Sequence, residues 1–107
     1  MPEMDVQIDG SRTMVTPPGA LTLAVAQELR PRIQQTLADG SSQVVFDLST
    51  TSVVDSSGIG LLIATHNTLK KAGGSLRVIG VSPEIRNLFK AMRLDRHFEV
   101  EGRQGEE

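Results

Sequence analysis

The chain has 107 residues, a net charge of −2 and no cysteine, and 38% of its residues are apolar, which suits one domain with a modest core. The lack of cysteine excludes disulfides, thiolate catalysis and cysteine-based metal sites, while dispersed basic residues and only three aromatic residues argue against nucleic-acid binding. Apolar runs reach only four residues, where a membrane-spanning helix needs about 20, and residues 1–11 lack a signal peptide's apolar core, so we expect a cytoplasmic domain without membrane insertion.

Two short strands are predicted to open the chain as a hairpin. Residues 4–8 alternate apolar and polar side chains, which is typical of a strand. The turn pair Gly10-Ser11 follows. Met14-Val15 then starts a second strand that ends at Pro17-Pro18, because proline has no N–H to donate to a sheet.

A first helix is predicted between Thr22, a candidate N-cap, and the terminating pair Asp39-Gly40. Pro31 lies inside it and costs about 3 kcal/mol there. The apolar stripe nevertheless continues in phase across this proline, so we expect one helix with a bend near Arg30-Pro31. The stripe contains Leu23, Ala26, Leu29, Ile33 and Leu37.

The second half of the chain alternates strands and helices. Strands that are joined by helical crossovers pair in parallel, so the sequence predicts an α/β fold whose mixed sheet has a parallel centre. The last helix should place Ile85, Leu88, Phe89 and Met92 on one side. The predicted segments are a buried strand at 44–48, a loop at 49–54, a helix from Asp55 or Ser56 to about Ala72, a strand at 76–79, a helix from Ser82-Pro83-Glu84 to about Met92, and a last strand at 98–100. We expect a single domain over 1–107, with an ordered core at about 4–100 and a polar tail at 101–107.

Motifs of catalysis and metal binding are missing. His66 and His97 are far apart in sequence, and we interpret both as surface or helix-face residues. The nucleophile elbow, the P-loop and the dinucleotide fingerprint are all incomplete around Gly58-Ile59-Gly60. We therefore expect no enzyme activity, no cofactor and no metal ion.

The segment Asp55-Ser56-Ser57-Gly58-Ile59-Gly60 lies where a loop enters the second helix. Its simplest interpretation is a helix cap. Three capping-type residues nevertheless exceed what one helix needs, and each glycine weakens the helix by about 1 kcal/mol relative to Ala while allowing another backbone to approach closely. The apolar residues 59 and 61–63 cannot all face one core, so some of them must be covered by the rest of the domain or by a partner.

A phosphate on a serine of this segment would be tolerated by the fold. Near a helix N-terminus it is favoured by about 0.3–1 kcal/mol. In a packed protein interface an unpaired buried charge costs about 2–5 kcal/mol. Modification of Ser56 could therefore release a partner without unfolding the domain.

The ordered set of motifs resembles the STAS domain, the family named for sulfate transporters and anti-sigma factor antagonists. The resemblance covers about Met4 to Val100 and implies a mixed sheet, parallel at its centre, with about three main helices packed mainly on one face. Its parts are Gly19-Ala20-Leu21-Thr22, Val44 to Leu48, Asp55 to Gly60, Lys71-Ala72-Gly73-Gly74, Val81-Ser82-Pro83-Glu84-Ile85 and Leu88-Phe89. No single tetrapeptide is specific, but the ordered set is.

The Asp-Ser-Ser-Gly form is similar to the stand-alone bacterial anti-sigma factor antagonists. This resemblance implies that Ser56 is phosphorylated by an anti-sigma factor that is also a serine kinase of the histidine-kinase-like ATPase type, and that a PP2C-type phosphatase restores the serine. It implies that the partner-binding residues are Asp55, Ser57, Gly58, Ile59 and Thr22.

Thr22 and Ala20 depart from the family, which often has acidic residues at these positions, and Pro17-Pro18 replaces regular strand. These changes raise the chance of a different partner. One alternative is a non-phosphorylated scaffold subunit of a signalling or lipid-transport complex. An enzyme is a further alternative, which the missing catalytic motifs argue against.

Overall fold

The computed structural model describes residues 5–103, so Met4 and the last four residues of the predicted tail lie outside the described part. Most segments lie where the sequence predicts them. The elements are β1 (Asp5–Asp9), β2 (Arg12–Thr16), β3 (Ala20–Leu21), α1 (Leu23–Ala38), β4 (Gln43–Asp47), β5 (Val53–Val54), α2 (Ser56–Lys71), β6 (Ser75–Val81), α3 (Pro83–Ala91), a 3₁₀ turn (Leu94–Arg96) and β7 (Glu99–Gly102).

Five strands form the main sheet in the order β1-β2-β4-β6-β7. β1 and β2 pair antiparallel, and the remaining neighbours pair in parallel. The predicted mixed sheet with a parallel centre and an N-terminal hairpin is therefore confirmed. β3 and β5 form a separate parallel pair, which joins Ala20 to Val53 and Leu21 to Val54. The prediction of a loop over the whole of 49–54 is wrong at its last two residues.

The helices cover one face of the main sheet, as predicted. Alternate residues of the central strands, among them Phe46 and Val78, belong to a single buried cluster. Leu29 of α1, Leu62 of α2 and Phe89 of α3 complete the same cluster. This packing holds the start of α2 beside the β3–β5 pair.

α1 continues from Leu23 to Ala38 with Pro31 inside it, so the prediction of one helix is confirmed. The bend near this proline stays a prediction. In α3, Leu88 is 36% exposed and Met92 at its end is 47% exposed. The side of α3 that was predicted to carry these four apolar residues is therefore buried only at Ile85 and Phe89.

The last strand lies later in the chain than predicted. Arg77 in β6 binds the carboxylates of Glu99, at 2.5 Å, and Glu101 in β7. The side chain of Arg103 donates to the carbonyl oxygen of Gly80 at 3.3 Å. Ordered structure therefore continues past residue 100, and the predicted start of the polar tail at 101 is too early.

Candidate functional site

Asp55 links the end of β5 to the start of α2. Its backbone is extended, and its N–H donates to the carbonyl oxygen of Leu21 in β3 at 3.3 Å. The helix begins at the next residue, Ser56. The predicted start of the second helix is therefore confirmed, and the β3–β5 pair sets its position.

The Asp55 carboxylate bonds to the first turns of two helices. Oδ1 accepts from the backbone N–H groups of Ser57 at 2.9 Å and Gly58 at 3.0 Å, which caps α2. Oδ2 accepts from the backbone N–H of Leu23 at 3.3 Å, in the first turn of α1. A negative charge is stabilising at both of these N-termini.

Thr22 is the N-cap residue of α1, as predicted, and its backbone is extended. Its side chain nevertheless makes no capping hydrogen bond. The carboxylate of Asp55 takes the Leu23 N–H instead, because the β3–β5 pair brings residues 21 and 55 together. The Asp55 carboxylate therefore stabilises the N-termini of both α1 and α2.

We expect Asp55→Ala to lower the free energy of unfolding by about 1–2 kcal/mol, because it removes the α2 cap and the bond to α1. Thr22→Ala is the matched control and should change this free energy by less than about 0.5 kcal/mol. Urea unfolding followed by circular dichroism measures both. Equal losses in the two variants would contradict the assignment of the shared cap to Asp55.

Ser56 is exposed in the first turn of α2, whereas Ser57 is half-buried. Gly60 and Ile63 are also exposed, and they follow Ser56 at the four- and seven-residue spacing of one helix stripe. A Cβ atom built on Gly60 would meet no atom within 4 Å. The packing of the domain therefore does not require a glycine at position 60. The missing side chain leaves open space beside Ser56.

Gly58 and Ile59 lie on the inner side of α2. A Cβ atom on Gly58 would lie 2.2 Å from the carbonyl oxygen of Leu21, so this glycine permits close contact between α2 and β3. Ile59 is only 6% exposed. Both residues are therefore buried within the domain, and their role in partner binding stays a prediction.

Three exposed apolar side chains lie on the elements around this segment. Leu23 is 55% exposed, Val53 is 51% exposed and Ile63 is 38% exposed. The domain itself buries Ile59, Leu61 and Leu62. Of the apolar residues 59 and 61–63, Ile63 is therefore the one that the domain leaves exposed. The predicted apolar stripe of α1 includes Leu23, and this is wrong for Leu23, which is exposed. Sequence reasoning missed the exposure of Leu23 and Val53, and only the β3–β5 pairing brings Leu23 close to Asp55.

The described residues contain neither a candidate metal site nor a candidate membrane-spanning helix. Within 5–103, no three His, Cys, Asp or Glu side chains are grouped as metal ligands would be. None of the helices in this range combines the length and apolar character that crossing a membrane requires.

The chain is similar to known proteins in sequence and in fold. The family model described as "STAS domain" matches residues 3–106. A relative from Staphylococcus aureus, named anti-sigma-B factor antagonist, is 31% identical over 72 residues, which is 67% of this chain and 67% of the relative. A solved anti-sigma factor antagonist from Mycobacterium paratuberculosis is 26% identical and has a TM-score of 0.80, with coverage of 92% of this chain and 84% of that one.

SpoIIAA is a more distant neighbour that has been solved in two forms. The unphosphorylated anti-sigma factor antagonist has a TM-score of 0.81, with coverage of 92% of this chain and 87% of that chain. The phosphorylated form, described as a Bacillus cell fate determinant, has a TM-score of 0.77 and covers 92% and 90%. Both are 19% identical to this chain, so the likeness shows the shared fold.

Proposed function

The chain belongs to the STAS domain family, and we propose that it is a bacterial anti-sigma factor antagonist that binds an anti-sigma factor and is released when Ser56 is phosphorylated. The observation that carries this proposal is the position of Ser56, which is exposed at the first residue of α2 directly after the capping carboxylate. The names of the Staphylococcus and Mycobacterium relatives support the role.

The chemistry of the site supports a switch that leaves the fold intact. Ser56 Oγ is open to a kinase, and a phosphate there lies at the positive end of the α2 dipole. The Asp55 carboxylate already accepts hydrogen bonds from three backbone N–H groups. These bonds hold the carboxylate in place when a phosphate is added beside it. The modification adds about −1.5 to −2 charge to a surface that a partner must desolvate.

The binding surface that we propose is centred on Ser56 and Gly60. The apolar side chains Leu23, Val53 and Ile63 supply area that a partner can bury. Ser57 and Thr22 are half-buried at its edge. Gly58 and Ile59 hold α2 against the domain from behind.

The partner that we propose is an anti-sigma factor of the histidine-kinase-like ATPase type. It would transfer the terminal phosphoryl group of ATP to Ser56 Oγ, with the hydroxyl proton leaving to a base of the kinase or to water. A PP2C-type phosphatase would then hydrolyse the phosphoserine. In this scheme the chain itself is a cytoplasmic binding protein and catalyses neither step.

We expect Ser56→Ala to bind the anti-sigma factor as well as the unmodified chain does and to take up no phosphate. The partner is recovered from the native cell by pull-down, incubated with ATP and each chain, and the chain is analysed by phosphosite mass spectrometry. Ser57→Ala is the matched control and should still be phosphorylated. Phosphate on residue 57 of the unmodified chain would contradict the site, and no phosphate on any chain would favour a constitutive scaffold.

A further inference from the structure

A second concave site lies at the far end of α2 from Ser56. The second half of α2, the start of β6, the 3₁₀ turn and the start of β7 enclose a cavity of about 430 Å³. Lys70 follows Ser56 by fourteen residues, so this cavity lies about 20 Å along the helix from the proposed switch. Its lining includes His66 and Lys70 from α2, and Arg96 and His97 from the 3₁₀ turn.

The structure brings the two histidines together although the sequence separates them. The ring centroids of His66 and His97 are 6.0 Å apart, and the ring of Phe98 lies 5.8 Å from that of His66. Burial, followed by the nearby charges of His97 and Lys70, lowers the pKa of His66. His66 lies half-buried on α2 and His97 is exposed, as the interpretation of surface or helix-face residues has it, and the fold places the two rings side by side.

The fixed charges of the pocket are unbalanced. Arg77 and Glu99 also line it, and these two residues bind each other, with Glu101 as a second partner of the arginine. Among residues 5–103, Lys70 and Arg96 form no salt bridge with a carboxylate. Two cations without a salt-bridge partner in this range therefore lie beside two imidazole rings.

We propose that this pocket binds a small phosphate-bearing molecule. The guanidinium of Arg96 and the ammonium of Lys70 supply charge-assisted hydrogen bonds to phosphate oxygens. The imidazole rings of His66 and His97 each offer a further N–H donor. The cavity of about 430 Å³ is larger than one phosphate group, so it has room for the rest of the molecule that carries the phosphate. This site is distinct from the partner surface at Ser56, and its ligand is free to bind with that surface either occupied or vacant.

The pKa of His66 depends on the same groups. Burial and the neighbouring positive charges lower the pKa of His66 in the free chain. A bound polyanion favours the protonated form of His66 and so raises this pKa. The charges that face the histidines from every enclosing element are those of Lys70, Arg77, Arg96 and Glu99.

The test uses inorganic pyrophosphate as the probe and the full chain as the receptor. We expect pyrophosphate to shift the ring-proton NMR signals of His66 and His97 and to raise the His66 pKa. Lys70→Gln and Arg96→Gln should each weaken binding by roughly five- to tenfold. Unchanged thermal unfolding of these exposed-site variants shows that the fold is retained.

Lys71→Gln is the matched control, because Lys71 is an exposed neighbour of Lys70 outside the lining of the pocket. It removes the same charge and should leave pyrophosphate affinity unchanged. Two results would overturn the proposal: histidine signals that do not respond to millimolar pyrophosphate at pH 6, or an equal loss of affinity in Lys70→Gln and Lys71→Gln.

Discussion

Ser56→Asp is expected to fold with nearly native stability and to bind the anti-sigma factor roughly 30-fold to several thousand-fold more weakly than the unmodified chain. The aspartate lies at the first residue of α2, where the helix dipole favours a negative charge. In the complex the same charge lies beside Asp55 on a surface that loses its water. Urea unfolding measures the stability of the variant, and isothermal titration calorimetry with the recovered partner measures its affinity.

Ser11→Asp is the matched control for this experiment. Ser11 is exposed in the turn before β2. Because β2 and β4 run in parallel, Ser11 lies at the end of the sheet where these strands begin, whereas the first turn of α2 lies beyond the end where β4 finishes. The same substitution there adds the same charge and should leave affinity within about threefold of the original. Equal binding by the unmodified chain and Ser56→Asp would defeat the switch mechanism. Unfolding of Ser56→Asp at low urea would show instead that the serine is structural.

Gly58→Ala is expected to lower the free energy of unfolding by about 2–3 kcal/mol. The added Cβ would lie 2.2 Å from the carbonyl oxygen of Leu21 and 2.8 Å from its side chain. Because that carbonyl is backbone, α2 and β3 must move apart, which also disturbs the bond from Asp55 to Leu23. Urea unfolding of the purified variant measures this loss, and native stability would contradict the close contact.

Gly60→Ala is the matched control two residues along the same helix. Its Cβ meets open space, so the substitution should stabilise the free domain by up to about 1 kcal/mol. We expect the same change to weaken binding of the anti-sigma factor, because the new methyl group lies on the stripe of Ser56 and Ile63. A variant that is both more stable and fully competent to bind would exclude Gly60 from the partner surface.

Local sequence patterns predicted the elements of this fold well. The spacing of Leu29 and Ile33 indicated α1 despite Pro31, and Ser82 before Pro83 marked the start of α3. Both signals act within one or two helix turns, through apolar periodicity or through a side chain that bonds to its own helix. The short β5 and the extension of β7 were missed. A strand of two residues has no periodicity, and the residue at which a strand ends depends on the strand with which it pairs.

In the candidate site, too, some features follow from the local sequence and others depend on the tertiary structure. The sequence by itself determined that a helix would begin at Asp55 or Ser56, because a capping side chain bonds to its own helix turn. Only the tertiary structure decided that Asp55 also bonds to Leu23, that Gly58 packs on Leu21 while Gly60 faces open space, and that His66 meets His97. These contacts join residues far apart in the chain, so they depend on strand order and helix packing, which local patterns do not specify.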